Sequence, residues 1–429
     1  MTVSKTEDIV RAYIKTYGCT LNQADGDLMA SILGSNGIDI SESIEDSDVV
    51  VLNTCTVKKP TEQRTLYLLK KLSGAGKRIV VTGCMVGSRS DAIRKYAPGA
   101  SMVNTSNVQH IYEAVAAAHD SGRIVLDGYN RTDKIAFFGD RGSVIARVPV
   151  SDGCISSCSF CETKHARGPL NSFSESLILK AIERSVKGGA KEIQITSQDI
   201  GAYGADRRTD IAALMEKITK IDGDFKARIG MLNPEHLGRY LGRLITAMQD
   251  EKFYKFVHLP VQSGSNRVLA HMKRGYDAER FLEQVAELRE GVPEVAIETD
   301  VIVGYPIESL SDFDATMDLV KEMKPDVTNI SKFCTRPHAP ASRLKSINNK
   351  EVSRRSMMLT RLVRSVQRSI NDRFVGRNIN ALMTEMTGRS VNGRSPSYKQ
   401  VVVPGAEPRI GDYRLTKIQA VSANVLYGS

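Results

Sequence analysis

The sequence lacks any apolar run of about 18 residues or more, so it gives no sign of a membrane-spanning helix. Its opening residues, MTVSKTEDIVRAYIKTYG, mix acidic with basic side chains and lack the apolar stretch of a secretory signal. These two absences point to the cytoplasm, with no membrane partner. There, thiols stay reduced, and clustered cysteines serve metal binding or catalysis. There is no internal repeat and no low-complexity tract. Cysteine is scarce, and its odd count of 7 argues against a full disulfide framework.

What is present is ordinary in bulk. A chain of 429 residues can bury two or three cores, and 41% hydrophobic with 25% charged residues is usual for a globular protein. The net charge of +10 is unevenly spread. Residues 351–429 hold 13 Lys/Arg against 5 Asp/Glu, a local excess of +8. Such an excess fits a polyanionic partner, or simply a solvated basic face.

The first third alternates short apolar runs with helical patterns. Tyr13–Tyr17, Val49–Thr54 and Ile79–Thr82 read as strands, and Asp25–Asn36 and Thr61–Leu72 as helices. This is the pattern of a parallel α/β sheet. Gly122–Gly142 reads as a linker. The middle repeats the alternation, with strands expected at Val144–Val150, Glu192–Thr196, Ala227–Leu232, Phe256–Leu259, Ala296–Val303 and Val327–Phe333. Helices are expected between them, at Phe173–Lys187, Ala212–Ile221 and Phe313–Met323. Six βα units fit a partial or full barrel, whose chemistry lies at the C-terminal strand ends. A long helix at Lys350–Asp372 carries an apolar stripe (Leu359, Leu362, Val363, Val366, Ile370) and a basic one (Arg361, Arg364, Arg368). Asn378–Tyr427 reads as a small all-β domain. The expected organisation is therefore an α/β domain over 1–125, a (βα)6-type partial barrel over 140–370 and a β-barrel over 371–429.

The cysteines fall into two sets. Cys154, Cys158 and Cys161 form C-x3-C-x2-C directly after the first strand of the expected barrel. Three thiolates at this spacing can hold three corners of a [4Fe–4S] cluster and leave one iron open to a ligand. A zinc site completed by His165 is the competing reading. Cys19, Cys55 and Cys84 are far apart in sequence, yet each follows an expected strand: YIKTYGC, VVVLNTC, RIVVTGC. In a parallel sheet such strand ends share one edge, so three thiols can converge without a local motif. They fit a second cluster or three buried structural cysteines. Cys334 has no sequence partner and reads as a packed thiol.

Several segments resemble the radical-SAM methylthiotransferase family over almost the whole chain. TYGCTLNQADGDLM, NTCTV and GCM are similar to its three auxiliary-cluster motifs, and GCISSCSFCETKHARG to its radical-SAM signature. SQDIGAYG, HLPVQSGSNRVLAHMKRGY and TDVIVGYPIES match in order, and the region after Phe374 resembles the RNA-binding TRAM barrel. GCTLNQADGDLM, CETKHARG and RIGMLNPEHL are most similar to the archaeal and eukaryotic branch, which acts on N(6)-threonylcarbamoyladenosine. Two departures stand out: GYPIES (304–309) replaces the commoner G-F-P-G-E-T, and Met85-Val86 replaces M-A-Q. Neither removes a cysteine.

The resemblance implies two [4Fe–4S] clusters and S-adenosylmethionine (SAM) as cofactors. Cys154, Cys158 and Cys161 would hold the radical-SAM cluster, and Cys19, Cys55 and Cys84 the auxiliary one. A 5′-deoxyadenosyl radical from SAM would take hydrogen from adenine C2 at position 37 of tRNA, and a methylthio group would replace it. Gln198, Asp199, Arg228, Gln262, Ser263, Glu298 and Asp300, at strand ends or on strands, are candidates to orient SAM; ordinary barrel-mouth solvation accounts for them equally well. Arg361, Arg364, Arg368, Arg373, Arg377, Arg394, Lys399, Arg414 and Lys417, with Arg389 and Arg409, suit the RNA backbone. Lys164, His165 and Arg167 touch RNA or face solvent. The anticodon stem-loop of tRNA is the expected partner, with flavodoxin or ferredoxin as electron donor; the sulfur source is not legible. Competing readings are another adenosine derivative, a ribosomal-protein side chain, and a non-catalytic zinc-dependent RNA-binding protein.

Overall fold

The structure, a computed structural model, describes residues 9–57, 59–139, 142–405 and 409–429. The leading segment 1–8, read above for a secretory signal, and 140–141 of the linker lie outside the described residues. The chain divides into two compact units. The first takes the described residues up to 139 together with Arg147–Ile155 and Glu162–Ala181; the second takes Gly142–Ala146, Ser156–Cys161 and Ile182–Ser429.

In the first unit, a six-stranded sheet holds β1 (Arg11–Thr16), β2 (Asp39–Ile40), β3 (Val49–Thr54), β4 (Arg78–Gly83), β5 (Ser101–Val103) and β6 (Val125–Leu126). The strands run in the order β2-β1-β3-β4-β5-β6, all parallel. β3 reads VVVLNT and is buried at every position, as a central strand covered on both faces must be. Its side chains alternate: Val49 and Val51 join one core with Leu28, Met29 and Ile111, and Val50 and Leu52 join another with Leu69, Val81 and Ile93. The first helix runs Thr20–Ser35 and so begins earlier than its apolar pattern predicts. Its first turns bury Asn22 and Asp25 beside Leu21 and Ala24, so polar residues interrupt the apolar stripe there.

β7 (Ile145–Pro149) divides its residues between the units. β8 (Ser151–Asp152) and β9 (Asn171–Ser172) then pair antiparallel and return the chain to the first unit. This ladder is why Glu162–Ala181 belongs there rather than with the later strands.

The second unit carries β10 (Glu192–Thr196), β11 (Lys226–Ile229), β12 (Phe256–His258), β13 (Ala296–Val303) and β14 (Val327–Lys332), with helices between. β10–β11 and β12–β13–β14 pair parallel, and a parallel bridge from Met231 to His258 joins the two sets. The expected strands at Glu192–Thr196 and Ala296–Val303 match in both bounds. β11 ends at Ile229, short of the expected Leu232, although Gly230 N still donates to Ile195 O (3.0 Å) and Leu232 N to His258 O (2.9 Å) beyond it. The helix Asn349–Asp372 is anchored by buried Arg355, whose Nη1 lies 2.7 Å from Glu308 Oε1. Glu308 belongs to the divergent GYPIES turn and also accepts from Gly304 N. Gly304 has φ +79°, and a Cβ there would lie 2.5 Å from Val352.

The C-terminal strands β15 (Asn378–Thr387), β16 (Ser390–Arg394), β17 (Gln400–Pro404), β18 (Tyr413–Val421) and β19 (Val425–Gly428) close a barrel in the order β15-β16-β17-β19-β18. Ala381, Met383, Val391, Val401, Val403, Ile418 and Leu426 fill it. Tyr398, between β16 and β17, reaches Glu192 at the start of β10. Its hydroxyl donates to Glu192 Oε1 (2.9 Å) and Tyr254 donates to Oε2 (3.1 Å), while Gln194 adds a third bond. No helix of the described residues is long and apolar enough to cross a membrane.

Candidate functional site

β1, β3 and β4 end in matched register, with Thr16 opposite Asn53 and Thr54 opposite Gly83. The residues that follow are therefore brought to one edge of the sheet: Cys19, Cys55 and Cys84. Cys55 and Cys84 are buried and Cys19 is exposed. Glycine makes the convergence sterically possible. Gly18 has φ +105°, and a Cβ there would lie 2.7 Å from Cys55 Sγ; Gly83 has φ +87° and would clash with Thr54 O at 2.3 Å. Burial pushes the Cys84 thiol up to about 12; Arg167 opposes this, and Cys55 and Cys19 add to it. Three thiols gathered after neighbouring strand ends, one of them so reluctant to ionise, are a donor set that a metal's positive charge would convert to thiolates. The residues present thus fit an iron–sulfur cluster at this edge.

Beside Cys84 lies a buried charge quartet that sequence reading missed. Lys134 Nζ is 2.6 Å from Asp25 Oδ1 and 2.7 Å from Asp152 Oδ2. Arg167 Nη1 is 3.0 Å from Asp152 Oδ1, and Nη2 is 2.8 Å from Asp25 Oδ2. All four side chains are at most 5% exposed. Burial alone would raise the Asp152 carboxyl, but Lys134 and Arg167 outweigh it and hold it below its ordinary value. Asp152 and Arg167 flank the C-x3-C-x2-C segment, and Cys154 N donates to Gly168 O (3.3 Å) at its base. Arg167 was expected at an RNA surface or in solvent; it is 1% exposed and committed to these bonds. Lys164 and His165 are exposed. The signal available in the sequence was charge on both sides of the motif, Asp152 two residues before Cys154 and Arg167 six after Cys161.

In the second unit, the later part of the motif is anchored separately. Ser159 Oγ meets Tyr305 Oη (2.8 Å) and His271 O (2.9 Å), and Phe160 packs with Val268, Met272 and Tyr305. Cys158 Sγ accepts from Arg274 Nη1 at 3.2 Å, while Arg274 Nη2 bonds Pro260 O. Cys334 is half-buried, its Sγ 3.7 Å from Thr335 O.

The seven SAM candidates divide by location. Gln198 Oε1 and Ser197 Oγ, after β10, are shielded from solvent and make no hydrogen bond among the described residues. Such orphaned polar atoms fit a polar ligand. Glu298 and Asp300 project from β13 beside His258 of β12, with His258 Nε2 3.2 Å from Asp300 Oδ2. Asn329 of β14 donates to both carboxylates. Gln262 takes φ +73°, unusual for a non-glycine residue. The other three also make contacts within the protein, although Asp199 Oδ2 and Arg228 Nε, like Gln198 Oε1, are shielded without a hydrogen bond among the described residues. Asp199 Oδ1 accepts from Gly201 N and Asn233 N, so it ties the end of β10 to that of β11; burial pushes its carboxyl up, against the pull of His236. Ser263 is buried and accepts from Ser265 N in a turn. Arg228 stacks on Phe256, the first residue of β12, and on Tyr398, with its Cζ 5.2 and 5.6 Å from the ring centroids. It therefore sits toward the N-terminal strand ends, because Tyr398 from the small barrel supplies the aromatic face it needs there.

Residues 11–104 match the model described as Uncharacterized protein family UPF0004, and residues 148–320 match the Radical SAM superfamily. A probable threonylcarbamoyladenosine tRNA methylthiotransferase of Archaeoglobus fulgidus is 40% identical across 98% of each chain. The chain belongs to the threonylcarbamoyladenosine tRNA methylthiotransferases. The family's Pyrococcus horikoshii protein, also described as probable, is 36% identical over 98% of this chain and 99% of its own. The Homo sapiens protein is 32% identical over 92% of this chain and 70% of its own. The fold is shared with the radical S-adenosylmethionine methyltransferase TsrM of Kitasatospora setae, at TM-score 0.57 and 13% identity, over 78% of this chain and 77% of that one. As a member of the Radical SAM superfamily, this methylthiotransferase uses a [4Fe–4S] cluster and SAM.

The basic residues of this methylthiotransferase are not equivalent. Arg361, Arg364, Arg368, Arg373, Arg377, Arg389, Arg409 and Lys417 are exposed, and Arg414 is half-buried. Two expected RNA contacts are corrected. Lys399 is buried, its Nζ 2.7 Å from Asp326 Oδ1. Arg394 lies over the Tyr398 ring at 5.3 Å, with Nε shielded from solvent. Both were drawn inward because Tyr398 packs against Tyr254 and Phe256 and carries its neighbours with it. Lys399→Ala would leave Asp326 buried and uncompensated. The expected loss is about 3–5 kcal/mol of unfolding free energy, read by denaturant titration. A loss below about 1 kcal/mol would show that the pair is not desolvated as described.

Proposed function

We infer that this chain inserts a methylthio group at C2 of N(6)-threonylcarbamoyladenosine, at position 37 of tRNA, and does so in the cytoplasm with two clusters. The observation that carries this reading is the meeting of Cys19, Cys55 and Cys84 at one sheet edge, in a chain that also bears C-x3-C-x2-C in a Radical SAM region. Three cysteines in each set would leave each cluster one open iron.

When bound, the clusters and SAM supply the electron, the radical that removes hydrogen from C2, and the sulfur and methyl group that replace it. The chain's own residues do the rest. Arg274 and Arg167 each place a guanidinium N–H on a cysteine sulfur. Gln198, Glu298 and Asp300, with His258 and Asn329, offer hydrogen bonds to the amine, carboxylate or ribose of SAM. Arg361, Arg364 and Arg368 on one helix, with Arg373, Arg377, Arg414 and Lys417, hold the anticodon stem-loop by its phosphates. A small electron-transfer protein of the flavodoxin or ferredoxin class would feed the site.

Nucleoside mass spectrometry on tRNA from cells with and without this gene tests the reading. Loss of the methylthio form with build-up of plain threonylcarbamoyladenosine supports it; an unchanged profile refutes it. The RNA surface has its own check. Replacing Arg361 and Arg364 with alanine should flatten the salt dependence of tRNA binding by about 2 units of log–log slope, roughly one per lost phosphate contact. A parallel-shifted line of the same slope would remove these residues from the interface.

A further inference from the structure

The hydrogen bond from Arg167 to Cys84 joins two pieces of sequence that have separate roles. Arg167 lies six positions after Cys161 in the radical-SAM signature, whereas Cys84 belongs to the strand-end triad. Arg167 Nε donates to Cys84 Sγ at 3.2 Å, Nη1 to Asp152 Oδ1 at 3.0 Å and Nη2 to Asn22 Oδ1 at 2.8 Å. Each face of the guanidinium fork is thus used, and the side chain is fully buried. Lys134 contacts both carboxylates of the quartet as well, so Arg167 is not their sole counter-charge. Asn22 is fixed in turn through Thr54 O, one residue before Cys55.

We propose that Arg167 is a positioning residue for the auxiliary cluster, orienting the Cys84 sulfur as a ligand and donating to it a hydrogen bond that raises the cluster's reduction potential. The proposal rests on the reading of Cys19, Cys55 and Cys84 as cluster ligands. The physical reason is general. Reduction adds negative charge to a cluster and its thiolates, and an N–H aimed at a ligand sulfur stabilises that charge, more so from a cation out of water. Arginine suits the task because its planar fork can serve Cys84, Asn22 and Asp152 together, which the single ammonium of lysine cannot.

The test uses the full chain carrying Cys154→Ala, Cys158→Ala and Cys161→Ala, reconstituted anaerobically so that only the strand-end cysteines can hold a cluster. The protein is grown with 15N-arginine and reduced, and electron spin-echo envelope modulation reads nitrogen coupled to the cluster. A 15N coupling is expected, and it should vanish when Arg167→Lys is added. The midpoint potential of that variant should move to more negative values. If Arg167→Lys holds no cluster, the coupling in its parent decides alone. A reduced cluster with no 15N coupling overturns the role of Arg167 and leaves the cluster reading intact. An unchanged midpoint in a cluster-bearing Arg167→Lys protein overturns the tuning. Failure of the parent to bind iron and sulfide overturns the cluster reading, and the proposal with it.

Discussion

Anaerobically reconstituted Cys158→Ala protein is expected to release no 5′-deoxyadenosine from SAM above background, while Cys55→Ala protein should cleave SAM at a rate near the parent's and form no methylthio product. The contrast follows from where the two thiols stand. Cys158 lies in the segment anchored by Ser159 and Phe160 and accepts from Arg274. Cys55 follows β3, fixed against Gly18 and the ends of β1 and β4. The two sets rest on different elements, so losing one thiol should disable one function and spare the other. A cluster deprived of one of three ligands loses a corner of its attachment, and the expected effect is loss of activity rather than a graded decline. Chromatography of 5′-deoxyadenosine and mass spectrometry of tRNA nucleosides read the two outcomes from one reaction. Near-parental SAM cleavage by Cys158→Ala would refute the first assignment. Normal methylthio product from Cys55→Ala would refute the second.

Lys134→Met is expected to lower the unfolding free energy by about 3–5 kcal/mol, the usual cost of stranding a buried charge. The quartet is balanced: two cations, Lys134 and Arg167, face two carboxylates, Asp25 and Asp152. Methionine at 134 keeps most of the volume and leaves two carboxylates for one guanidinium. Adding Asp152→Asn restores the balance, with Asp25 and Arg167 still paired. The double variant should therefore recover a large part of the loss although it has lost two charged groups. Denaturant unfolding followed by circular dichroism, on reduced protein without metal, supplies all three free energies. A double variant as unstable as the sum of both single variants would mean that the four groups act independently. The same comparison bears on function, because Asp152 and Arg167 close the base of the radical-SAM segment on either side.

The sequence by itself determined the elements whose burial is apolar. β3, β10 and β13 match their expected bounds because β-branched runs bounded by polar turns have no other stable use. It also offered the two cysteine sets as candidate ligands, one by tight spacing and the other by repetition of strand-then-thiol, and it placed the closed C-terminal barrel. The early turns of Thr20–Ser35 were missed, since buried Asn22 and Asp25 sit among Leu21 and Ala24 and break up the hydrophobic stripe. Lys134, Asp152 and Arg167 are spread over 34 residues with Asp25 more than 100 positions before Lys134, so no window of sequence contains the charge balance that keeps them inside. Arg228, Arg394 and Lys399 read as ligand-facing cations until Tyr398 is seen to enter beside Glu192, which turns two of them into ring partners and the third into the partner of Asp326. Pattern along the chain decides what is apolar and where the chain turns. Which charges leave water is decided only when folding supplies their partners, because an unpaired ion cannot bear that desolvation and a paired one can.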